Sequence, residues 1–473
     1  MNACLQIAEL AGIPAVAGGS NFVFSPLSLV AALSLTASGA KGETLRELLS
    51  FLGSPSLNHL HSASVHLAQA VRGSNRELIL SFVNGAWVDR SMPVNPSFVA
   101  VAASVYGAAI EPADFIRQST APHASRGITR PDCGRLHLLP AGGCGPDGAP
   151  PDYPRRVFQD PASPPIGFGQ VAGGSITGNN PKSWLGACDR DFFRRNREGH
   201  RRTTHGGFTV ASLEENKINN WIEEKTNGII KNSIPVGTIN DSTRLILTNA
   251  LYFKGKWQDK FHNFMTRIDK FYLLNGSATQ TPFMSSREDQ FISSHDGFKV
   301  LKLPYKKELG GDLDSRSFSM LLFLPNKRNG LHDLARKVVS APNFIEEHVP
   351  HRRVDVGSFM VPKFKISFSF EASDALKQVG LKSMFSTSSA DLGGICLESS
   401  RVERLFVSSI LHKADVEVDE EGTTASAATV LTVLPTCYTP PVDFVADHPF
   451  IFVVREDKTG AILFFGHVVN PSI

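Results

Sequence analysis

The sequence predicts an α+β fold, and three observations carry that expectation. Strand-like segments crowd the chain after residue 245, while a well-punctuated helix at 24–39 and further helices at 98–106 and 212–226 precede them. Nowhere do strand and helix alternate in the regular βαβ rhythm of a parallel sheet. The length of 473 residues needs no second domain, because large mixed folds run long.

Each element has its own signal. Residues 24–39 open with Ser25 as N-cap and Pro26 in the first turn, and stop at Gly39. The body of that helix, LSLVAALSL, is apolar nearly all round, so it should be buried. Residues 78–89 read as a strand, 98–106 as a second helix and 111–115 as a strand. Ser212 and Glu215 have capping-box spacing for a helix through Thr226, with Ile218, Trp221 and Ile222 on one face and Asn227-Gly228 as its stop. Residues 245–252 read as a buried strand, followed by strands around Phe271, Val300, Met320 and Phe364. Finally FIFVVRE and AILFFGHVV flank Asp457-Lys458-Thr459-Gly460, a hairpin signal.

Between residues 119 and 207 the composition breaks. Pro and Gly fill 26 of those 89 positions, and the segment carries a net charge of +5. The remaining 384 residues carry −2, so the chain's overall +3 is set by this segment. Stretches such as GGCGPDGAPPDYPRR have no structural period and too little apolar content to offset the entropy of folding. The segment reads as a disordered insert, of the kind a retained intron or a faulty gene model supplies, within one domain formed by 1–118 and 208–473.

Several function classes drop out. A mean hydropathy of −0.07 and the lack of any apolar run near 18 residues argue against membrane spans. The first twenty residues have no signal-peptide pattern, so a cytoplasmic or nuclear location is expected, with extracellular release left open. The basic stretch RDFFRRNREGHRR (190–202) suits phosphates and bases, but a solvated run inside the insert is the plainer reading, and no nucleic-acid partner is expected. The cysteines and His137, His200 and His205 form no CxxC or HxxxH pair, and the 10-residue gap from Cys133 to Cys144 matches no common zinc spacing, so neither metal nor cofactor is expected. GxSxG, HExxH and Walker patterns are missing and no GxGxxG follows a strand, so no enzyme is expected. Cys437 sits in a polar, proline-flanked stretch with no base nearby in sequence.

The unusual segment is 416–441, VEVDEEGTTASAATVLTVLPTCYTPP. It begins as the alternating strand Val416-Glu417-Val418-Asp419, passes Glu420, Glu421 and Gly422, and continues as Thr423, Thr424, Ala425, Ser426, Ala427, Ala428 and Thr429. Small and β-branched residues with strand periodicity could slide between two existing strands, since an inserted strand needs room on both sheet faces. Glycine lets the backbone swing. Composition alone would also allow a plain surface loop.

Here the sequence resembles the serpin family, on many motifs in order. NFVFSPLSLVAALSLTASGAKGETLREL, KINNWIEEKTNGIIKN, LILTNALYFKGKW, VPKFKISFSFEASDALKQVGL, SADLGGI, the hinge VEVDEEGTTASAAT and the tail DFVADHPFIFVVREDKTGAILFFGHVVNP all match, and the wording of the hinge and tail is similar to the plant subgroup. The resemblance implies three β-sheets surrounded by eight or nine helices, an exposed reactive-centre loop, and a monomer of the intracellular type. It implies a suicide inhibitor: a serine or cysteine protease cleaves the loop, forms an acyl-enzyme and is trapped as the loop inserts into the main sheet. Family spacing, counted as fifteen residues from Gly422 inclusive, puts the scissile bond between Thr436 and Cys437, with Leu434 as the alternative specificity residue. No Lys or Arg lies in 430–441, so an elastase-, subtilisin- or chymotrypsin-like target is expected and a trypsin-like one is not. The resemblance also carries over a buried polar cluster controlling sheet opening: Ser25, Ser28, Asn249 and His412.

Three departures stand against full activity. The insert separates a strand from the helix that in the family lies across the opening sheet. Asp415 replaces an apolar residue, and a buried charge is costly unless paired. The N-terminus begins late, trimming the first helix near Cys4 to Leu10. A non-inhibitory storage or binding protein, or a product inactivated by the insert, are the alternative readings.

Overall fold

The computed structural model describes residues 2–71, 78–115, 210–307, 316–341, 343–397, 404–420 and 440–473. These residues belong to one compact unit, spanning Met1–Gln118 and Gly207–Ile473.

The helices in the first half are α1 (Asn2–Ile7) and α2 (Ile13–Ala17), joined by a π turn at Ala8–Gly12, then α3 (Pro26–Gly39), α4 (Gly42–Leu52), α5 (Leu57–Val71) and α6 (Pro96–Tyr106). They are followed by α7 (Val210–Lys225), α8 (Leu331–Ser340), α9 (Phe344–Glu347) and α10 (Ser373–Gln378). With α1 and α2 counted as one bulged helix, the described residues form nine, in line with the expected number.

The strands are β1 (Phe22–Phe24), β2 (Leu78–Asp89), β3 (Ala109–Ala113), β4 (Leu245–Gly255), β5 (Arg267–Tyr272), β6 (Ala278–Met284), β7 (Gln290–His295) and β8 (Phe298–Pro304). After them come β9 (Phe318–Pro325), β10 (Arg353–Val354), β11 (Val356–Pro362), β12 (Phe364–Glu371), β13 (Ser409–Val418), β14 (Val442–Val445), β15 (Phe450–Glu456) and β16 (Ile462–Val468). They build three sheets: five strands in the order β12-β13-β4-β2-β3, four in the order β14-β11-β6-β5, and seven in the order β1-β16-β15-β9-β8-β7-β10. The architecture is α+β, as expected from the sequence.

Local chemistry explains the elements that matter for the site. Ser25 is extended, at φ −110° and ψ 106°, and its Oγ accepts the Ser28 N–H at 3.1 Å, starting α3 with Pro26 in its first turn. Being apolar all round, α3 touches β2, β4 and β16, and so lies between the five- and seven-stranded sheets. On the other face of the five-stranded sheet, α7 packs Ile218 and Ile222 against Trp87, Ile246, Ala250 and Leu411. The hairpin β15–β16 turns at Gly460 (φ +70°), and Glu456 Oε2 accepts from both Thr459 N and Oγ1 at 2.7 Å.

The capping box expected at Ser212 and Glu215 is not formed. The helix begins at Val210, so Ser212 is already helical. The Glu215 carboxylate turns elsewhere, to chain that follows the helix.

Candidate functional site

The feature that sets the five-stranded sheet apart is its central seam. Strands β13 and β4 run parallel and pair directly, from Ser409 opposite Ile246 to Val416 opposite Phe253. Every other pairing in the sheet is antiparallel except β2–β3 at its edge. Chain leaving the end of β13 at Val418 and turning back would run antiparallel to β13 and, because β4 is parallel to β13, antiparallel to β4 as well. A strand entering the seam would thus replace one parallel ladder with two antiparallel ones, which pair slightly better per residue.

Under the seam lies a row of aligned residues. Phe370, His412, Asn249 and Asn84 stand opposite one another on β12, β13, β4 and β2. Ser25 N–H donates to His412 Nε2 at 3.0 Å, and Asn249 Nδ2 donates to the Ser28 carbonyl at 3.1 Å and to Asn84 Oδ1. Asn84 in turn donates to the Tyr106 carbonyl at 3.4 Å. Each seam strand therefore has its own tether to the start of α3. Because Nε2 accepts, neutral His412 carries its proton on Nδ1. Neither Nδ1 nor Asn249 Oδ1 has a partner among the described residues. Burial pushes the His412 imidazole down to about 3, so the ring is neutral at ordinary pH.

At the upper end of β13 the chain is clamped just before the expected hinge. Trp257 Nε1 donates to the Asp419 carbonyl at 2.9 Å, Thr266 Oγ1 to Glu420 Oε1 at 2.8 Å, and Lys363 Nζ to Glu420 Oε2 at 2.6 Å. Burial alone would raise the Glu420 carboxyl, but the bonds from Lys363 and Thr266 outweigh it and hold it below the usual range. Asp415 lies half-buried opposite Ser367 and Tyr252. Burial raises its carboxyl, against the pull of a hydrogen bond to Ser367 and of Lys413 and Lys365.

The outer face of the seam is covered by α7 and the chain that returns along it. Asn219 Oδ1 accepts from Ile234 N at 2.8 Å while its Nδ2 donates to the Ile234 carbonyl at 3.1 Å. Glu215, 2% exposed, accepts from Gly237 N at 2.8 Å and Ile239 N at 3.1 Å. Lys413 Nζ on β13 donates to the Lys231 carbonyl at 2.7 Å, so this cover is tied to a strand of the seam.

The structure thus brings Ser25, Ser28, Asn249 and His412 together, with Ser28 contributing backbone groups rather than its hydroxyl. Glu420 is placed at the end of β13. Glu421, the stretch 422–429, Leu434, Thr436 and Cys437 lie outside the described residues, as does the insert 119–207. Sequence reading missed Asn84, Trp257, Thr266 and Lys363; a polar Asn inside an otherwise strand-like run was the one signal available, and only for Asn84. Among the described residues no group of His, Cys, Asp or Glu could hold a metal, and no helix is long and apolar enough to cross a membrane.

Comparison with known proteins places this geometry. The family model described as Serpin (serine protease inhibitor) matches residues 11–125 and 191–471. The chain is similar to Serpin-ZXA of Oryza sativa subsp. japonica, at 38% identity over 97% of this chain and 92% of the relative. It is 52% identical to Serpin-ZX of Hordeum vulgare over 56% of this chain and 66% of the relative. Among solved structures, Arabidopsis AtSerpin1 in its native stressed conformation superposes with a TM-score of 0.73 at 34% identity, covering 100% of this chain and 98% of that one. Uncleaved ovalbumin, at 20% identity and a TM-score of 0.66, shares the fold.

Proposed function

The chain belongs to the serpin family, whose members are in general protease inhibitors rather than catalysts, and from that premise we propose that it traps serine, and by the same chemistry cysteine, endopeptidases by a suicide mechanism. The observation that carries this reading is the directly paired parallel seam, adjacent in sequence to an uncharged run of small residues at 423–429.

In the proposed sequence of events the protease nucleophile attacks the carbonyl carbon of Thr436. The Thr436–Cys437 bond breaks, the Cys437 amine takes a proton and leaves, and Thr436 stays esterified (or thioesterified) to the enzyme. Residues 423–429 then enter the seam antiparallel to both β4 and β13. Each new backbone hydrogen bond is worth ~1 kcal/mol net, and the sum must exceed the freedom lost by the loop. The Ser25, Ser28, Asn249 and His412 cluster is the gate in this reading, because its strands are tethered separately to α3. A one- or two-residue shift of the bond would make Leu434 the specificity residue, and either position favours an elastase-, subtilisin- or chymotrypsin-like target over a trypsin-like one.

The inhibitor acts as a monomer in this reading. A cytoplasmic or nuclear site of action belongs to it too, and the free thiols of Cys4 and Cys396 fit a reducing compartment. Residues 119–207 are proposed to be extraneous to the domain, in keeping with a family match that passes over 126–190. Incubation with a panel of such proteases, with and without residues 119–207, tests the proposal. A boiling-resistant covalent complex is expected, and cleavage without complex across the whole panel would refute it.

A further inference from the structure

The described surface carries an apolar strip beside the base of the loop. Phe264 is 82% exposed and Ile268 70% exposed. Phe264 stands on a single 3₁₀ turn, Asn263–Met265, with its ring stacked on His262 at 5.1 Å. Ile268 lies on β5, an edge strand of the four-stranded sheet. Strand alternation explains its exposure: Phe271 is fully buried, so Ile268 and Lys270 take the opposite face. Between the two apolar side chains sits Thr266, whose hydroxyl holds Glu420. Two bulky apolar groups left in water within one short segment, with the exposed charges Arg267, Asp269 and Lys270 beside them, mark an interaction surface rather than a folding requirement.

We propose that this strip is a secondary contact for the protease engaged on the loop, fitting an apolar patch with an acidic rim on the enzyme. The proposal rests on the inhibitory reading above. Continuity with the loop identifies the occupant. Residues 421–441 leave from Glu420, which Thr266 holds beside the strip, and the chain re-enters at Val442 in β14, the opposite edge of the same four-stranded sheet. Strands lie about 4.8 Å apart, so the two edges are roughly 14 Å apart, less than the width of any folded protease. An enzyme gripping the loop overhangs that sheet and its β5 edge. Arg267 and Lys270 then act on the encounter rate, and Phe264 and Ile268 on the lifetime of the docked complex. The rival occupant is a second copy pairing along the open edge of β5, which the exposed charged side chains of that strand, Arg267, Asp269 and Lys270, oppose.

The test compares the full chain with Phe264→Ser/Ile268→Ser and with Arg267→Glu/Lys270→Glu, using a protease that the unaltered chain traps. The rate constant for complex formation, its salt dependence, the stoichiometry of inhibition and the sedimentation behaviour are measured on cooperatively melting proteins. The apolar double variant should slow complex formation roughly 5- to 50-fold at unchanged stoichiometry, and the charge variant should lose most of the salt dependence. Unchanged rates for both variants overturn the proposal. So does a dimer in the unaltered chain that the apolar variant abolishes, because the strip then belongs to a second copy. An unaltered chain that traps no protease overturns it together with its premise, and shows as a missing complex rather than an unchanged rate.

Discussion

At His412, burial decides the protonation state and the bond from Ser25 N–H decides the tautomer. Its imidazole is held at about 3, whereas an unfolded histidine titrates near 6.5. Between those values only the unfolded chain takes up the proton, so stability falls as pH drops through that window, by up to ~1.4 kcal/mol per pH unit. His467, pushed down to about 4 by burial, adds a contribution of the same sign. Glu420 does too, since a carboxyl held below its usual range stabilises the fold when ionised and loses that as it is protonated. Asp415 works the other way: its raised carboxyl makes ionisation costly in the fold, so its contribution improves as pH falls. We therefore expect the urea midpoint to fall from pH 7 to 4.5, and His412→Gln, which keeps an acceptor for Ser25 N–H, to flatten the slope. An equal slope in both proteins would contradict the assignment. The clamp at Glu420 gives a second expectation. Glu420→Gln keeps the Thr266 bond but loses the Lys363 pair, and because Lys363 is partly exposed the loss should be about 1–2 kcal/mol in chemical denaturation. Lys363→Met should cost a similar amount, and the double variant less than the sum.

Among the elements, the seam and its cover make separate demands. If residues 423–429 enter the seam, an obligate charge among them must be buried or expelled. Thr423→Arg should then leave cleavage by a target protease intact while abolishing the boiling-resistant complex; a complex of normal yield would count against insertion. On the cover, Glu215→Ala orphans the amides of Gly237 and Ile239 and should lower unfolding stability by roughly 1–3 kcal/mol, read from a thermal or urea melt. This element also shows where sequence reading stops. Helix α3, strand β2 and the β15–β16 hairpin were legible because their signals are local: Ser25-Pro26 and Gly39, a strand period, a four-residue turn. The role of Glu215 was misread because its spacing from Ser212 mimics a capping box, while its true partners lie 22 and 24 residues further on. Lys363 and Thr266 gave no sequence signal at all, since they reach Glu420 only through a fold that brings chain 57 and 154 residues away to the end of β13. The polar cluster was reachable only through family resemblance; composition gives no reason to group Ser25 with His412, 387 residues later.

For the whole molecule, the charge of +3 describes two unlike parts, −2 over 384 residues and +5 over 119–207. The described strands and helices on either side of that segment, β3 ending at Ala113 and α7 starting at Val210, belong to the same compact unit. A chain lacking 119–207 is accordingly expected to melt cooperatively, at a temperature equal to or above that of the full chain, by calorimetry. On the proposed mechanism the seam between β4 and β13 accepts the loop as a strand. The most direct measurement is the thermal midpoint before and after a single cut in residues 430–440 by a protease that is not trapped. Insertion of the freed strand predicts a rise of more than about 10 °C, given two new ladders at ~1 kcal/mol per hydrogen bond. A cut chain that melts where the intact chain does would show that the seam does not take up the loop.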